Sequence, residues 1–254
     1  MITAIIQARM GSTRLPNKVM KVVLGKPLID YLLERVSTAE KVDRIILATT
    51  IKHEDDILAK HVAHLGYDVF RGSEDDVLSR YYNAFYEFKN EFEKSNGIVR
   101  ITGDCPLIDS HLIDEVIKAY QEKDMDYVSL SSRFAEGLDV EVFSETLLNR
   151  AFNEAKLPSE REHVALFFHN NKSLFNMYNI QNSSDDSNYR ITVDEEQDFF
   201  VVKAIIEHFA NNFLKLNTQN IKNYLDSNPN IYKLNAHIIR NEGLQKSLQK
   251  EQIK

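Results

Sequence analysis

The chain has 254 residues, and its 31 Lys and Arg against 38 Asp and Glu side chains give a formal net charge of −7. This acidic balance argues against a general nucleic-acid binder, which needs a basic face to displace counterions from phosphates. Hydrophobic residues make up 43% and charged residues 27% of the chain, as is usual for folded domains. No segment reaches the roughly 18 apolar residues of a membrane span, and the apolar start meets Arg9 too soon for a signal-peptide core. We therefore predict a folded cytoplasmic protein that binds neither nucleic acid nor membrane.

Strand-like and helix-like patterns alternate along the first half of the chain. Short apolar, β-branched runs predict buried strands at 2–8, 44–50, 67–70 and 97–102. Apolar residues at helical spacing predict helices at 27–39, 54–64 and 75–92. Helices between consecutive strands make right-handed crossovers, which give a mostly parallel sheet with helices on both faces. The sequence thus predicts an α/β three-layer sandwich whose ligand lies beyond the carboxyl ends of the strands.

The pattern changes after a predicted strand at 126–130. Residues 131–187 combine an alternating strand at 137–143, two helical stretches and a polar loop, and we interpret them as a small inserted lobe. A strand at 189–193 and a helix at 195–209 then return to the first pattern. We predict one α/β domain built from 1–130 and 188–254, with 131–187 inserted into it.

The loop after the first strand opposes the charge of the whole chain. It combines cations with small hydrogen-bond donors: Arg9, Gly11, Ser12, Thr13, Arg14 and Lys18. Glycine lets backbone amides approach an anion, hydroxyls donate hydrogen bonds and the cations neutralise charge, so this chemistry suits a polyphosphate. The spacing matches neither a P-loop nor a dinucleotide-binding turn. A solvated basic turn is the alternative interpretation.

Two aspartates follow predicted strands at the same edge of the sheet. Asp104 comes after the strand at 97–102, and Asp194 comes after the strand at 189–193. Carboxylates from two strands could share one hard cation, and Mg²⁺ needs few protein oxygens because water and substrate phosphates complete its shell. The alternatives are a turn-forming Asp104 and an Asp194 that caps the next helix. Together with the basic loop, the pair suggests metal-assisted attack on a nucleoside triphosphate.

Six segments carry a resemblance to a known family. They are IIQARMGSTRLPNK at 5–18, VRITGDCPLI at 99–108, GLDVEVF at 137–143, SEREHV at 159–164, RITVD at 190–194 and NAHIIRNEGL at 235–244. These segments resemble the cytidylyltransferase family, and within it the spore-coat polysaccharide biosynthesis protein F branch. Its relatives make CMP-sialate and CMP-3-deoxy-manno-octulosonate. The resemblance implies a glycosyltransferase-A-like nucleotidyltransferase fold, CTP as substrate, Mg²⁺ and a homodimer.

The resemblance also implies roles for individual residues. The residues implied to contact the nucleotide are Ala8, Arg9, Gly11, Ser12, Thr13, Arg14, Lys18, Arg71, Ser73 and Thr102. The implied ligands of Mg²⁺ are Asp104 and Asp194. Arg14, Lys18 and Asp104 are the implied catalytic residues. The residues implied to face the acceptor are Glu141, Arg161 and His163, in the lobe that is also expected to serve dimerisation.

Two positions depart from the family pattern. Asn17 stands where the family commonly has glycine, and asparagine tolerates a left-handed backbone conformation at modest cost. Cys105 stands where the octulosonate enzymes have glutamate, which leaves the identity of the acceptor open. We expect transfer of CMP to an acidic sugar or a related hydroxyl-bearing acid in surface-glycan biosynthesis.

Two other functions are compatible with the sequence. Asp124 and Asp126 form the D-x-D pattern of metal-dependent glycosyltransferases, although they precede a predicted strand instead of following one. A nucleotide-binding scaffold without catalysis, in a glycan-assembly complex, is the other alternative. The pair of strand-end carboxylates and the three loop cations favour the transferase.

Overall fold

Seven strands form one sheet in the computed structural model, which describes residues 1–89, 97–240 and 242–252. In chain order the strands are β1 (Ile2–Gln7), β2 (Arg44–Thr50), β3 (Asp68–Gly72), β4 (Gly97–Thr102), β5 (Tyr127–Leu130), β6 (Glu141–Phe143) and β7 (Met177–Ile180). Their order across the sheet is β3, β2, β1, β4, β6, β5, β7. Neighbouring strands are parallel except where β6 pairs with β4 and with β5. The sheet is therefore mostly parallel, as the sequence predicts.

The helices alternate with these strands. They are α1 (Leu28–Ser37), α2 (Asp56–His64), α3 (Val77–Phe88), α4 (Ser110–Lys123), α5 (Glu145–Glu154), α6 (Pro158–Glu162), α7 (Ala165–Asn170), α8 (Glu196–Phe209), α9 (Thr218–Ser227), α10 (Pro229–Tyr232) and α11 (Glu242–Gln252). Short 3-10 helices cover Lys18–Met20, His53–Asp55, Lys172–Leu174 and Ala210–Lys215, and a small hairpin pairs Val22–Val23 with Lys26–Pro27. In the part of the chain that is described, no helix combines the length and the hydropathy needed to span a bilayer.

The sheet is the middle of three layers. On β1, Ala4 and Ile6 belong to the apolar cluster formed with α1, α2 and α4, whereas Ile5 belongs to the cluster formed with α3, α5 and α7. Successive strand residues point to opposite faces, so both faces of β1 are buried. A third cluster packs α8 and α9 beside α1. The predicted α/β sandwich is confirmed.

Residues 131–187 share the sheet with the rest of the chain. They supply β6, which lies between β4 and β5, and β7, which forms one edge beside β5. They also supply α5, α6 and α7. The division into a domain of 1–130 and 188–254 with an inserted lobe at 131–187 stays a prediction.

Three predicted elements differ from the structure. The strand predicted at 137–143 covers only Glu141–Phe143. Residues 189–193 form no strand, because Arg190 makes only an isolated bridge with Glu136. Gly137, which follows Glu136, has a φ of 104° and turns its chain segment away, so the pairing with residues 191–193 does not continue. The helix predicted at 75–92 begins at Val77, because the Asp76 carboxylate accepts a hydrogen bond from the Ser79 amide and caps the helix. Residues 90–92 of that prediction lie outside the described residues.

Candidate functional site

A buried carboxylate that the sequence analysis did not single out fixes the basic loop after β1. Asp55 is fully buried and accepts hydrogen bonds from the Met10 amide, at 2.6 Å, and from the Thr50 hydroxyl. The Met10 carbonyl accepts in turn from the amides of Ser12, at 2.8 Å, and Asn17, at 3.0 Å. Asn17 has a φ of 59°, the left-handed conformation expected where the family has glycine. These bonds hold the backbone that carries the loop cations.

Asp55→Ala is expected to destabilise the protein. The substitution removes the partner of the buried Met10 amide and of the Thr50 hydroxyl, which costs roughly 2–4 kcal/mol of unfolding free energy. Urea unfolding measures this loss. The control is Asp56→Ala, which removes the neighbouring, more exposed carboxylate that pairs with Arg71 and should change stability little. Equal unfolding midpoints for the two variants would show that Asp55 does not hold the loop.

Asp104 and Asp194 meet at the ammonium group of Lys18. Lys18 Nζ lies 3.0 Å from Asp104 Oδ2 and 2.9 Å from Asp194 Oδ1. The two aspartate segments are tied together, because the Val193 amide donates to the Asp104 carbonyl at 2.8 Å. One ammonium group thus contacts both carboxylates, which is the convergence that a shared metal ion requires.

The ends of β1 and β4 approach closely beside this cluster. The Gly103 amide donates to the Gln7 carbonyl at 2.7 Å, and a Cβ atom on Gly103 would lie 2.5 Å from Ala8 Cβ. Real Cβ atoms do not approach so closely, so a glycine is needed here. Gly103 therefore lets the segment that carries Asp104 lie against the start of the basic loop.

The charges of this cluster set the ionisation of its members. Burial raises the pKa of Asp104, but the Lys18 ammonium and hydrogen bonds from Thr102 and Lys18 outweigh it and lower that pKa to about 2. Burial lowers the pKa of Lys18, but Asp104 and Asp194 outweigh it and raise that pKa above its ordinary 10.5. The ion pair between Lys18 and Asp104 is therefore fully charged at neutral pH.

The depressed pKa makes a prediction for acid pH. Because the folded pKa of Asp104 lies below its ordinary value, the pairing stabilises the fold above pH 3.8 and is lost as the pH falls through about 2. The carboxyl ¹³C resonance of Asp104, assigned by its absence in Asp104→Asn, should stay at the ionised position down to about pH 3. A titration midpoint above 4 would contradict the ion pair with Lys18.

A buried ion-pair network orients Asp194. Asp198 is fully buried, and its Oδ2 accepts from the amides of Asp194 and Glu195, both at 3.0 Å. Arg190 pairs with Asp198 at 2.8 Å and donates through Nη2 to Asp194 Oδ2 at 3.1 Å. Asn235 donates to Asp198 at 2.8 Å. Arg190 thus holds one oxygen of Asp194, while the other oxygen faces Lys18.

The other two loop cations also contact carboxylates. Arg14 lies 3.0 Å from Asp194 and 3.2 Å from Glu242, the first residue of α11. Arg9 lies 2.6 Å from Glu74, which follows β3. Any anionic ligand that uses these guanidinium groups must share them with these carboxylates or replace the carboxylates.

Two adjoining cavities lie at the carboxyl ends of β1 and β4. The first cavity, of about 600 Å³, is lined by the predicted residues Ala8, Arg9, Ser12, Thr13, Arg14, Lys18, Thr102 and Asp104. The second cavity, of about 430 Å³, is lined by the predicted residues Arg14, Thr102, Asp104, Glu141, His163 and Asp194. His163 lines the first cavity too. The structure therefore brings eleven predicted site residues, from segments far apart in sequence, to two cavities around the contact between Lys18 and the two aspartates.

Arg71 and Ser73, which the resemblance places beside the base, line neither cavity. Arg71 donates to the carbonyls of Thr50 and Lys52, at 2.9 and 2.8 Å, and pairs with Asp56 at 2.6 Å. The Ser73 hydroxyl accepts from the Asp76 amide at 3.1 Å. Both side chains are thus used to hold the turns after β2 and β3.

Gly11 and Arg161 are also outside the two cavity linings. A Cβ atom on Gly11 would lie 2.5 Å from Glu54 Oε1, so this glycine makes room for a neighbouring side chain. Arg161 pairs with Asp76 at 2.7 Å and donates to the carbonyl of Phe152 at 3.0 Å. Arg161 therefore ties α6 to the start of α3.

Several lining residues were missed by the sequence analysis. Arg100, two residues before Thr102 on the same face of β4, lines both cavities and pairs with Glu141 at 2.8 Å. Its place on the strand could have indicated this role, because residues two apart share a face. Glu242 also lines both cavities. It is 228 residues from Arg14, and no local pattern connects the two.

Two residues that the resemblance implies to face the acceptor substrate, Glu141 and His163, are hydrogen-bonded to neighbouring side chains. Glu141 also accepts from the Tyr127 hydroxyl at 2.9 Å, so both of its oxygens have donors. His163 Nε2 lies 3.1 Å from the Ser247 hydroxyl of α11, and burial lowers the pKa of His163.

Asp124 and Asp126 of the D-x-D pattern line neither cavity. This position removes the geometric support for the glycosyltransferase alternative.

Both the sequence and the structure of the chain are similar to those of known proteins. The sequence profile of the family described as Cytidylyltransferase matches residues 3–247. The spore coat polysaccharide biosynthesis protein SpsF of Bacillus subtilis is 34% identical over 81% of this chain and 86% of its own. A cytidylyltransferase structure from Leptospira borgpetersenii has a TM-score of 0.83 and 31% identity, covering 91% of this chain and 96% of that one.

A more distant structure shares the fold alone. It is CMP:2-keto-3-deoxy-manno-octonic acid synthetase complexed with CTP, with a TM-score of 0.63 and 15% identity. The alignment covers 82% of this chain and 98% of that one. The sheet described above is therefore the sheet of a nucleotidyltransferase fold.

Proposed function

Because the chain belongs to the cytidylyltransferase family and is a nucleotidyltransferase, we propose that it transfers CMP from CTP to an acidic sugar or a related hydroxyl-bearing acid. Pyrophosphate is the second product. The Bacillus subtilis relative is a spore coat polysaccharide biosynthesis protein, and this similarity supports a place in surface-polysaccharide biosynthesis. We further propose that the protein works as a cytoplasmic homodimer.

One observation carries the proposal. A single ammonium group, that of Lys18, contacts Asp104 and Asp194 within 3.0 Å, beside a loop that presents Arg9 and Arg14 to the same cavity. Nucleotidyl transfer needs cations for the phosphates and anions for a metal ion, at adjacent positions. The cluster supplies both kinds of charge where the strands end.

The carboxylate pair fits a magnesium ion. Mg²⁺ favours oxygen ligands and takes one or two carboxylates from the protein together with substrate phosphates. Among the described residues no group of three or more His, Cys, Asp or Glu side chains could hold a metal by itself. Asp104 and Asp194 would therefore hold the ion together with a bound nucleotide. When bound, Mg²⁺ offsets negative charge on the reacting phosphates.

The residues of the chain divide the remaining work. Arg14 and Lys18 neutralise the triphosphate and the departing pyrophosphate, and the hydroxyls of Ser12 and Thr13 donate hydrogen bonds to it. The acceptor oxygen, placed in the second cavity, forms a bond to the α-phosphorus while the bond to the pyrophosphate oxygen breaks. The hydroxyl proton passes to water. His163, which lines both cavities, stands where donor and acceptor meet.

Pyrophosphate release tests this function. The protein is incubated with CTP, Mg²⁺ and a panel of 2-keto-3-deoxy sugar acids, and release from CTP is compared with release from UTP, ATP and GTP. We expect acceptor-dependent pyrophosphate with CTP and a CMP-linked product. CTP binding without pyrophosphate from any acceptor would support the scaffold, and free nucleotide released from a nucleotide-sugar would support the glycosyltransferase. No CTP binding at all would reject the proposal.

A further inference from the structure

Arg80 is a buried arginine that faces the first cavity. It lies on α3, is 2% exposed and lines the cavity together with the basic loop. Its Nη1 donates to the Ser73 carbonyl at 2.7 Å, and its Nε has no hydrogen-bond partner. Neither the sequence motifs nor the proposed chemistry uses this side chain.

The charge of Arg80 distinguishes it from the other cations of the first cavity. Arg9, Arg14, Lys18 and Arg100 each contact at least one carboxylate within 4.0 Å. In residues 1–89, 97–240 and 242–252, no carboxylate forms such an ion pair with Arg80. Burying an unpaired charge is unfavourable by several kcal/mol. A guanidinium group that lines a cavity without an ion-pair partner is therefore arranged for a ligand that brings acceptor atoms.

The surrounding structure makes room for this side chain and fixes it. A Cβ atom on Gly72 would lie 2.8 Å from the Phe70 ring and 3.4 Å from Arg80 Cγ, so a larger residue would crowd the arginine stem. The next residue, Tyr81, is fully buried and its hydroxyl donates toward the carbonyls of Ile5 and Ile101, each at 3.3 Å. Arg80 is thus held at a set position beneath the ends of the strands.

The position of Arg80 indicates which part of the nucleotide it meets. Helix α3 packs on β1, β2 and β3, whereas Asp104 follows β4, on the other side of β1. The basic loop lies between them, above the end of β1. A nucleotide whose phosphates lie at the loop and at Asp104 places its base toward α3 and the turn after β3.

Resting on the proposed function, we propose that Arg80 recognises the cytosine ring and selects CTP over UTP. Cytosine carries two adjacent acceptors, O2 and N3, whereas uracil carries an acceptor at O2 and a donor at N3. A guanidinium group offers only donors, in a planar fork. It can donate to both positions of cytosine, and it meets the N3–H of uracil donor to donor. Arg80 is therefore a residue that determines base specificity.

Arg80→Met tests this assignment by separating the base from the phosphates. Calorimetric dissociation constants are measured for CTP, UTP and inorganic triphosphate in the presence of Mg²⁺. We expect the variant to bind CTP roughly 10- to 100-fold more weakly, with affinities for UTP and triphosphate changed by less than about threefold. Arg80→Lys, which keeps the charge but loses the fork, should retain only part of the preference for CTP.

Stability and a control variant distinguish recognition from a structural role. Because Arg80→Met removes an unpaired buried charge, the thermal midpoint should stay equal or rise. The control is Arg44→Met. Arg44 also contacts α3, donating to the Phe88 carbonyl, but lines neither cavity, and its substitution should leave nucleotide preference unchanged.

Three results would overturn the assignment. They are a full preference for CTP in Arg80→Met, an equal loss of CTP and triphosphate binding, and a fall in thermal midpoint with unchanged binding. All three presuppose a wild-type chain that binds CTP. A wild-type chain that binds no CTP contradicts the proposed function and, with it, this assignment.

Discussion

Replacing Asp104 with asparagine is expected to lower turnover by about 1,000-fold or more. Asparagine keeps the shape of the side chain but removes the charge that faces Lys18 and, on the proposed function, the metal ion. CTP affinity should fall much less, because the loop cations remain in place. Turnover is measured as pyrophosphate release at saturating CTP across a Mg²⁺ titration, and circular dichroism checks that the fold is kept.

Asp126→Asn is the matched control for this experiment. Asp126 accepts a hydrogen bond from the Asn176 amide at 2.9 Å and lines neither cavity. If the chain is the proposed cytidylyltransferase, Asp126→Asn keeps its turnover. If it is a glycosyltransferase that uses the D-x-D pattern, Asp126→Asn loses its turnover. Turnover within tenfold of wild type in Asp104→Asn would remove this carboxylate from the chemistry.

Lys18→Met is expected to lower kcat/KM for CTP by roughly 100- to 1,000-fold. The variant loses a cation for the phosphates and leaves Asp104 and Asp194 facing each other without the ammonium group that now contacts both. Without the Lys18 ammonium, these two carboxylates attract a free divalent cation more strongly than they do in the wild-type protein. We therefore expect tighter binding of Mn²⁺ in the absence of nucleotide, measured by electron paramagnetic resonance, together with the loss of activity.

The opposite directions of these two effects make the test specific. General damage to the site weakens both activity and Mn²⁺ binding. Removal of a cation shared by two carboxylates lowers activity but strengthens Mn²⁺ binding. Lys21→Met is the control, because Lys21 contacts the Phe199 ring and lines neither cavity. Unchanged or weaker Mn²⁺ binding in Lys18→Met would contradict the shared contact.

Much of the fold follows from local sequence patterns. The run at Ile2–Gln7 is mostly apolar and lacks the alternation of a half-exposed strand, which indicates a strand covered on both faces. In the structure β1 lies inside the sheet, between β2 and β4. The basic loop is evident from the sequence because its charge is opposite to that of the whole chain. Asp104 is evident because Gly103 and Pro106 mark the end of the strand before it.

Other parts of the site depend on contacts that no local pattern encodes. Asp198 lies at an ordinary first-turn position of α8, yet it is fully buried and holds Asp194 through Arg190. Asn235 joins this network from 37 residues away. The strand predicted at 189–193 does not form, because Arg190 makes only an isolated bridge with Glu136 and Gly137 turns the neighbouring chain aside.

The assignment of the base-reading residues shows the same limit. Arg71 and Ser73 follow β3, as a residue-by-residue transfer implies, but local backbone and carboxylate groups use their side chains. Arg80 lies seven residues after Ser73, near the start of α3, and lines the first cavity. The contact proposed for Arg80 could not be inferred from the sequence, because only the packing of α3 brings this residue to the cavity wall.

On the proposed function, the first cavity binds CTP together with a divalent cation held by Asp104 and Asp194. Calorimetric titration of CTP with and without Mg²⁺, on the wild-type chain and on the double variant Asp104→Asn, Asp194→Asn, tests it most directly. We expect one CTP per chain, bound more tightly with Mg²⁺ in the wild type and with no effect of Mg²⁺ in the double variant. Equal Mg²⁺ dependence in both proteins, or no CTP binding by the wild type, would contradict it.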